Sequence, residues 1–385
     1  RRPSNAEEVT IIQLFSEVLN VEIQHLGIDD DFFELGGHSI KAMQLLSGIY
    51  KQTGVKLDLA SIFKSSKISE LAILVSETKS VAEYEIPNGI AKLYYKTSSI
   101  QQRMYYLQSL EVSSIAYNMP VVYQLKGDID QSKIELAFKA LVERHESLRT
   151  CFQVVDNEIV QKIEDDKNFN LEFIRAETGK KDNIIKDFTK PFDLHSAPLF
   201  RVKLVELEKE EHLLMFDFHH IITDAFSINI LIHDFIMLYQ DHKLEVLPIQ
   251  YKDYCEWLYS DDALSIRQKQ KTYWKSKLSG NTSYVRLPSN DNDKKGNNEH
   301  LVTINSSKTQ KLKQFSVKQK VTLNILLQSV FNIHLGQVAY QDTITMGTPM
   351  ASRRNSALEH ITGMFVNTVV LTNHLDKEKL FLDFL

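Results

Sequence analysis

Apolar positions in the first 78 residues recur at helical spacing, whereas later segments alternate between helical spacing and short apolar runs. In residues 6–20, Val9, Ile12, Leu14, Phe15, Val18 and Leu19 form one stripe, and Glu7 and Glu8 sit where the helix dipole favours acids. A loop is predicted through Asp29–Asp31. A second helix should open at Ser39 with Ala42, Met43, Leu45, Leu46 and Ile49 apolar, and stop near Gly54. Leu59–Phe63 reads as a short helix and Ser69–Glu77 as another. The pattern predicts a small bundle of about four helices.

Residues 79–96 lose this periodicity, carry Pro87 and Gly89, and read as a linker that would span about 60 Å fully extended. Beyond it the pattern is mixed. Gln131–Ser147 reads as a helix, and Thr150–Val155 with Glu158–Ile163 as a hairpin about Asp156-Asn157. Leu199–Leu207 and His212–Ile221 flank the charged stretch Glu208–Glu211 as a second hairpin. Phe226–Tyr239 and Thr322–Tyr340 read as helices, the latter with Thr322 as N-cap. Thr343–Thr348 and Met364–Leu371 read as buried strands. Interspersed helices and strands predict a layered α/β domain. No internal repeat or low-complexity tract occurs.

The chain's 385 residues exceed a usual single domain, so two or more units are expected. The net charge of −5 is uneven: residues 1–78 hold 11 acidic against 7 basic side chains. The remainder is nearly neutral, which argues against a nucleic-acid-binding surface. No apolar run is long enough for a membrane span, and the charged N-terminus has no apolar core behind it, so no secretory signal is expected. The two cysteines, Cys151 and Cys255, read as core filler in a reducing cytoplasm, and no Cys/His cluster has metal-ligand spacing.

Two short strings carry candidate chemistry. Ser39 follows Gly36-Gly37-His38 inside DDFFELGGHSI, at a predicted helix start, where a hydroxyl is presented and backbone N–H groups favour a phosphate. Taken alone, Gly-Gly before a capping serine is a common turn. HHIITDA begins at His219-His220, at the end of the apolar run HLLMFDF, with Asp224 leading into the next helix. Alternation places His220 on the face of Leu214, Phe216 and Phe218 and His219 on the opposite face. Histidine titrates near neutral pH, which suits proton handling, but an isolated pair is equally a buried structural feature.

DDFFELGGHSI resembles the attachment site of a peptidyl carrier domain, and the resemblance covers nearly all of residues 5–78. It implies a 4′-phosphopantetheine arm on Ser39, installed by a phosphopantetheinyl transferase, that holds an aminoacyl or peptidyl thioester. HHIITDA resembles the HHxxxDG motif of condensation domains of nonribosomal peptide synthetases. SSIQQRMYYL (98–107), RHESLRTCF (144–152), YKDYCEW (251–257) and ITGMFVNTVVL (361–371) resemble further motifs of that family, in family order. The resemblance implies a two-lobed fold similar to chloramphenicol acetyltransferase, with a tunnel between lobes. The implied organisation is a carrier domain over 1–78, a linker over 79–96, a first lobe over 97–270 and a second over 271–385. The last family motifs are not found, so the second lobe is expected to be incomplete.

His220 is the implied catalytic group, as base or as orienting hydrogen-bond partner of the amine. His219 and Asp224 are implied to be architectural, with Arg149 or Arg353 as partner of Asp224. Ala225, Ser227, Arg103 and Asn367 are candidates to line the tunnel. Ala225 stands where the family has glycine, which would narrow the channel or disfavour a positive φ. Ile100-Gln101 departs from the commoner Ala-Gln pairing. The implied partners are a downstream aminoacyl carrier as acceptor and adenylation domains on either side. The implied reaction is amide formation of the L-to-L type. Ester formation on the same fold, or a non-catalytic recruitment platform, are the competing readings.

Overall fold

The computed structural model describes residues 1–37, 39–78, 84–167, 169–208, 211–280, 285, 287, 301–353 and 355–385, with the side chains of residues 39, 40, 178 and 208 outside the description. The chain divides into two compact units. One comprises Arg1–Glu83, Gly280–Thr348 and Val370–Leu385; the other comprises Tyr84–Ser279 and Pro349–Val369.

The N-terminal helices are α1 (Ala6–Leu19), α2 (Ser39–Thr53), α3 (Leu59–Lys64) and α4 (Ile68–Glu77). Asn5 caps α1 by accepting from the Glu8 N–H at 2.7 Å, and Asn20 ends it in the left-handed region at φ 61°. Helix α1 packs on α2 and α4 through Ile11, Phe15, Leu45, Ile49, Leu71 and Val75, all buried. Gly54, at φ 70°, follows the end of α2.

The stretch expected to be a linker is described from Tyr84, and there it packs against its own unit. The Tyr84 ring stacks on Trp257 at 4.2 Å, and Ile86 is buried. The Gly89 N–H donates to Asp253 at 2.9 Å, and Lys92 pairs with Glu256 at 2.6 Å. Strand β1 (Tyr95–Lys96) then joins a sheet of order β1-β4-β3, in which β3 is Thr150–Val155 and β4 is Glu158–Ile163.

Helix α5 (Ser99–Leu110) and strand β2 (Asn118–Lys126) precede α6 (Gln131–Arg144). The helix expected over 131–147 ends at Arg144, because His145 is extended at φ −107° and ψ 100°; a turn of 3-10 helix covers Glu146–Arg149. Strands β3 (Thr150–Val155) and β4 (Glu158–Ile163) form the expected hairpin, with Asp156 and Asn157 both at positive φ, the backbone of a tight two-residue turn. Next come β5 (Glu172–Arg175), α7 (Lys181–Phe188), β6 (Phe200–Glu208), β7 (Glu211–His219) and α8 (Ala225–Tyr239).

The four-stranded sheet has order β2-β7-β6-β5, with β7 antiparallel to both neighbours. Both faces of β7 are covered, which explains its near-continuous apolar run. Leu214, Phe216 and Phe218 join the main core with Phe138 of α6 and Leu231 of α8, whereas Leu213 and Met215 pack with Phe188 of α7.

The remaining elements are α9 (Tyr251–Trp257), α10 (Asp261–Lys277), α11 (Ser306–Lys318), α12 (Leu323–Ala339), β8 (Thr343–Ala351), β9 (Val366–His374) and α13 (Phe381–Phe384). Thr322 caps α12 by accepting from the Ile325 N–H at 3.1 Å. Strands β8 and β9 pair with each other. Their residues are largely half-buried or exposed, unlike the buried strands their composition predicts.

Candidate active site and carrier serine

Strand β7 ends at His219, and a turn over residues 220–223 leads to the N-cap of α8. His220 therefore lies just past the strand, and strand alternation is not what orients it. Its N–H donates to the Tyr117 carbonyl at 2.8 Å. Its Nδ1 lies 2.7 Å from the Thr223 carbonyl, which can only accept, so Nδ1 carries a proton. In the neutral ring Nε2 is then a bare acceptor. The ring is half-buried.

His219 has the opposite tautomer. It is fully buried, and its Nδ1 accepts the Ile221 N–H at 3.1 Å. The proton must then sit on Nε2, which has no hydrogen-bond partner among the described residues. Burial, with a smaller contribution from His220, pulls the His219 pKa down to about 4, so the ring is neutral at pH 7.

Asp224 is the N-cap of α8 and is fully buried. Its Oδ1 accepts from the Ser227 N–H and hydroxyl, both at 2.7 Å, and its Oδ2 from the Phe365 N–H at 3.1 Å. Arg353 reaches Oδ1 at 3.4 Å and Ser227 Oγ at 2.7 Å. The guanidinium also donates to the Leu358 and Ile361 carbonyls at 2.5 and 2.6 Å and lies 4.0 Å from the centre of the Phe365 ring. Burial draws the Arg353 pKa down and Asp224 opposes this. Gly363 closes the clamp: its N–H donates to Ser227 Oγ at 3.0 Å, and any Cβ there would fall 2.0 Å from the Tyr251 ring. The Tyr251 hydroxyl donates to the Met364 carbonyl at 2.5 Å. Buried Asp224 thus receives four donors, so its charge is matched rather than stranded.

The other candidates separate clearly. Arg149 does not meet Asp224; it bonds the Glu164 carbonyl at 2.7 Å and Glu146 at 3.4 Å. Ser227 is buried and committed to the clamp rather than facing a channel. Ala225 is exposed as the first residue of α8 and is not among the positive-φ residues, so the expected backbone conflict does not arise. Arg103 on α5 and Asn367 on β9 are exposed. The buried Cys255 thiol is pushed up to about 12 by desolvation and is no nucleophile. Sequence reasoning missed Gln101 and Tyr251. Buried Gln101 forms a capping box with Ser98 and donates to the Ile221 carbonyl at 3.3 Å. Their signal was present: both lie inside strings already singled out.

Ser39 is the first residue of α2; His38 and the Ser39 side chain lie outside the described residues. The loop before it is built for close packing. Gly36 has φ +89°, and a Cβ at Gly37 would fall 2.4 Å from Phe32, which is itself fully buried against Phe15. Asp31 accepts the Phe33 N–H at 2.8 Å and bonds the Ser66 hydroxyl. A glycine loop opening onto a 15-residue helix fits attachment of a phosphate-linked arm at its first residue.

Comparison with known proteins identifies the family of each region. The family model "Condensation domain" matches residues 92–385, and "Phosphopantetheine attachment site" matches 9–75. Tyrocidine synthase 2 of Brevibacillus parabrevis is 36% identical over 390 residues, covering all of this chain and 11% of that protein. Bacitracin synthase 3 of Bacillus licheniformis is 35% identical over 395 residues, covering all of this chain and 6% of that protein. The condensation domain from the monacolin K polyketide synthase MokA superposes with a TM-score of 0.65 at 19% identity, over 74% of this chain and 68% of that one. The chain thus spans 11% or less of the length of these two synthases.

Proposed function

The chain belongs to the nonribosomal peptide synthetase family, as a carrier domain followed by a condensation domain, and we propose on that premise that it joins an acyl group to an amine by an amide bond. Ser39 would hold a 4′-phosphopantetheine arm, whose thiol carries the donor acyl group as a thioester. The acceptor is the amine of an aminoacyl group on a downstream carrier. The amine nitrogen attacks the thioester carbon, the C–N bond forms, the C–S bond breaks, and the sulfur leaves as thiol. One proton must pass from nitrogen to sulfur.

The observation that carries this reading is the tautomer of His220. With Nδ1–H spent on the Thr223 carbonyl, Nε2 is left to accept from the attacking amine. That single bond both orients the amine and offers its proton a place. A thioester is already activated and an α-ammonium has a pKa near about 8, so orientation supplies a large share of the acceleration. Asp224, Arg353 and Ser227 are too buried to touch substrate; their role is to hold the start of α8 next to the His220 turn.

The donor and acceptor are proposed to be L-residues, because the region before the motif lacks the additional histidine-rich string of dual condensation–epimerisation domains. Adenylation domains on either side and a phosphopantetheinyl transferase are the proposed partners, in the cytoplasm. Among the described residues no helix is long and apolar enough to cross a membrane. The test is a turnover assay with donor and acceptor carriers loaded with defined aminoacyl groups. An amide-linked product at the mass of the joined pair is expected. An ester product with a hydroxyacyl acceptor, at equal rate, would favour the ester-forming reading. No product with any pair would favour a recruitment platform.

A further inference from the structure

A second buried polar chain lies in the same unit as the His220 turn. His145 is fully buried, with Nε2 2.9 Å from Asp234 Oδ2 and Nδ1 3.3 Å from Thr362 Oγ1. Thr362 Oγ1 in turn lies 2.6 Å from Ser147 Oγ. Its direction follows from the charges. Burial would raise the Asp234 pKa, but bonds from His145, Arg144 and His233 outweigh this and bring it to about 2. Asp234 is therefore an ionised acceptor, and His145 Nε2 must donate. Burial lowers the His145 pKa against the pull of Asp234, so the ring is neutral and Nδ1 accepts. The Thr362 hydroxyl then donates to His145 and accepts from Ser147.

This chain ends one residue from the Asp224 clamp. Thr362 carries the one polar side chain between Ile361 and Phe365. Gly363 meets Ser227 by donating its N–H to the hydroxyl oxygen, and the Phe365 N–H reaches Asp224. Arg353 holds the Ile361 carbonyl and Tyr251 the Met364 carbonyl, so the Thr362 hydroxyl is the side-chain anchor in the middle of the segment. We infer that His145 is a positioning residue for condensation, acting through Thr362 to hold residues 361–365 against Asp224 and Ser227 beside the His220 turn. The inference rests on the reading of His220 given above. The histidine of RHESLR thereby acquires a role in which it touches no substrate.

The test uses Thr362→Val, which keeps the branched shape and removes the hydroxyl, and Thr362→Ser, which restores it. Two quantities are read on the chain in its synthetase: hydrogen exchange at the Gly363 and Phe365 amides, and single-turnover condensation between loaded carriers. Thr362→Val should exchange faster at both amides and condense about ten-fold more slowly, as small misplacements at a reacting centre do. Thr362→Ser should recover both. Wild-type exchange and rate in folded Thr362→Val overturns the inference. If Thr362→Val does not fold, His145→Gln, which keeps a donor for Asp234 and withdraws the Nδ1 acceptor from the Thr362 hydroxyl, should show the same two changes; wild-type values there overturn it equally. A wild-type protein that forms no amide would count against the proposed function, while the exchange result would still decide the role of His145.

Discussion

Two turns in this molecule deliver a candidate functional residue at or beside the start of a helix, and they are built in opposite ways. The turn before Ser39 is local. Asp30 and Asp31 hold backbone within three residues, and the loop's longer bonds reach Ser66, Lys67 and Ile68. The turn that carries His220 is fixed from far along the chain, since Asp224 and Ser227 bond residues 353, 363 and 365. The physical difference matches the tasks proposed for Ser39 and His220. A serine that must be modified by another enzyme needs a presented helix start and little else. A histidine that must orient an amine needs a rigid surround, so its neighbours are buried and over-bonded.

The contrast can be broken by mutation, most severely at the attachment point. Ser39→Ala should abolish arm attachment completely, read as the absence of added mass after treatment with a phosphopantetheinyl transferase, and should leave thermal unfolding unchanged. Asp224→Ala should do the reverse. Removing one partner of a buried pair strands Arg353, so a loss of about 3–5 kcal/mol is expected in denaturant unfolding of that unit, with little folded enzyme left to assay. If Asp224→Ala unfolds like wild type, the long-range clamp is not what holds the turn.

Acid should separate the turns next. The pKa of His219 is lowered from 6.5 to about 4, so between these values the unfolded chain binds the proton and the folded one does not. Stability from this group is therefore complete above pH 6.5 and is lost as pH falls toward 4, by about 3 kcal/mol in all. His219→Phe should flatten that part of the stability–pH curve relative to wild type. An unchanged curve would contradict a buried neutral His219. The smallest effect belongs to the local turn: Gly37→Ala drives a methyl into Phe32 and should cost about 1–3 kcal/mol, seen as earlier melting of the carrier helices.

Most of the elements near the two motifs were legible in the sequence because their apolar stripes and turn residues are strong. Helices α1, α2 and α8 and the hairpin about Asp156-Asn157 fall within a residue or two of the pattern. The misses share a cause. Strand β2 carries Pro120 and Gln124 and owes its place to pairing with β7, which no local pattern reports. Strands β8 and β9 are apolar in composition but largely half-buried or exposed. At the site, His220, Asp224 and Arg353 stood out in the sequence. The choice of Arg353 over Arg149 did not, since it depends on contacts between residues 129 apart in the chain. Nor did the tautomers of His219 and His220, which are set by the Ile221 N–H and the Thr223 carbonyl.

The central claim is that His220 Nε2 is the acceptor that meets the attacking amine, while its neighbour His219 is scaffold. The most direct measurement is single-turnover condensation by His220→Ala, with loaded donor and acceptor carriers and a thermal melt of the same preparation. The predicted result is a rate lowered by about 10²–10⁴-fold with wild-type melting, the loss being greatest for weakly nucleophilic acceptors. A folded His220→Ala that condenses several different acceptors at the wild-type rate would contradict the account.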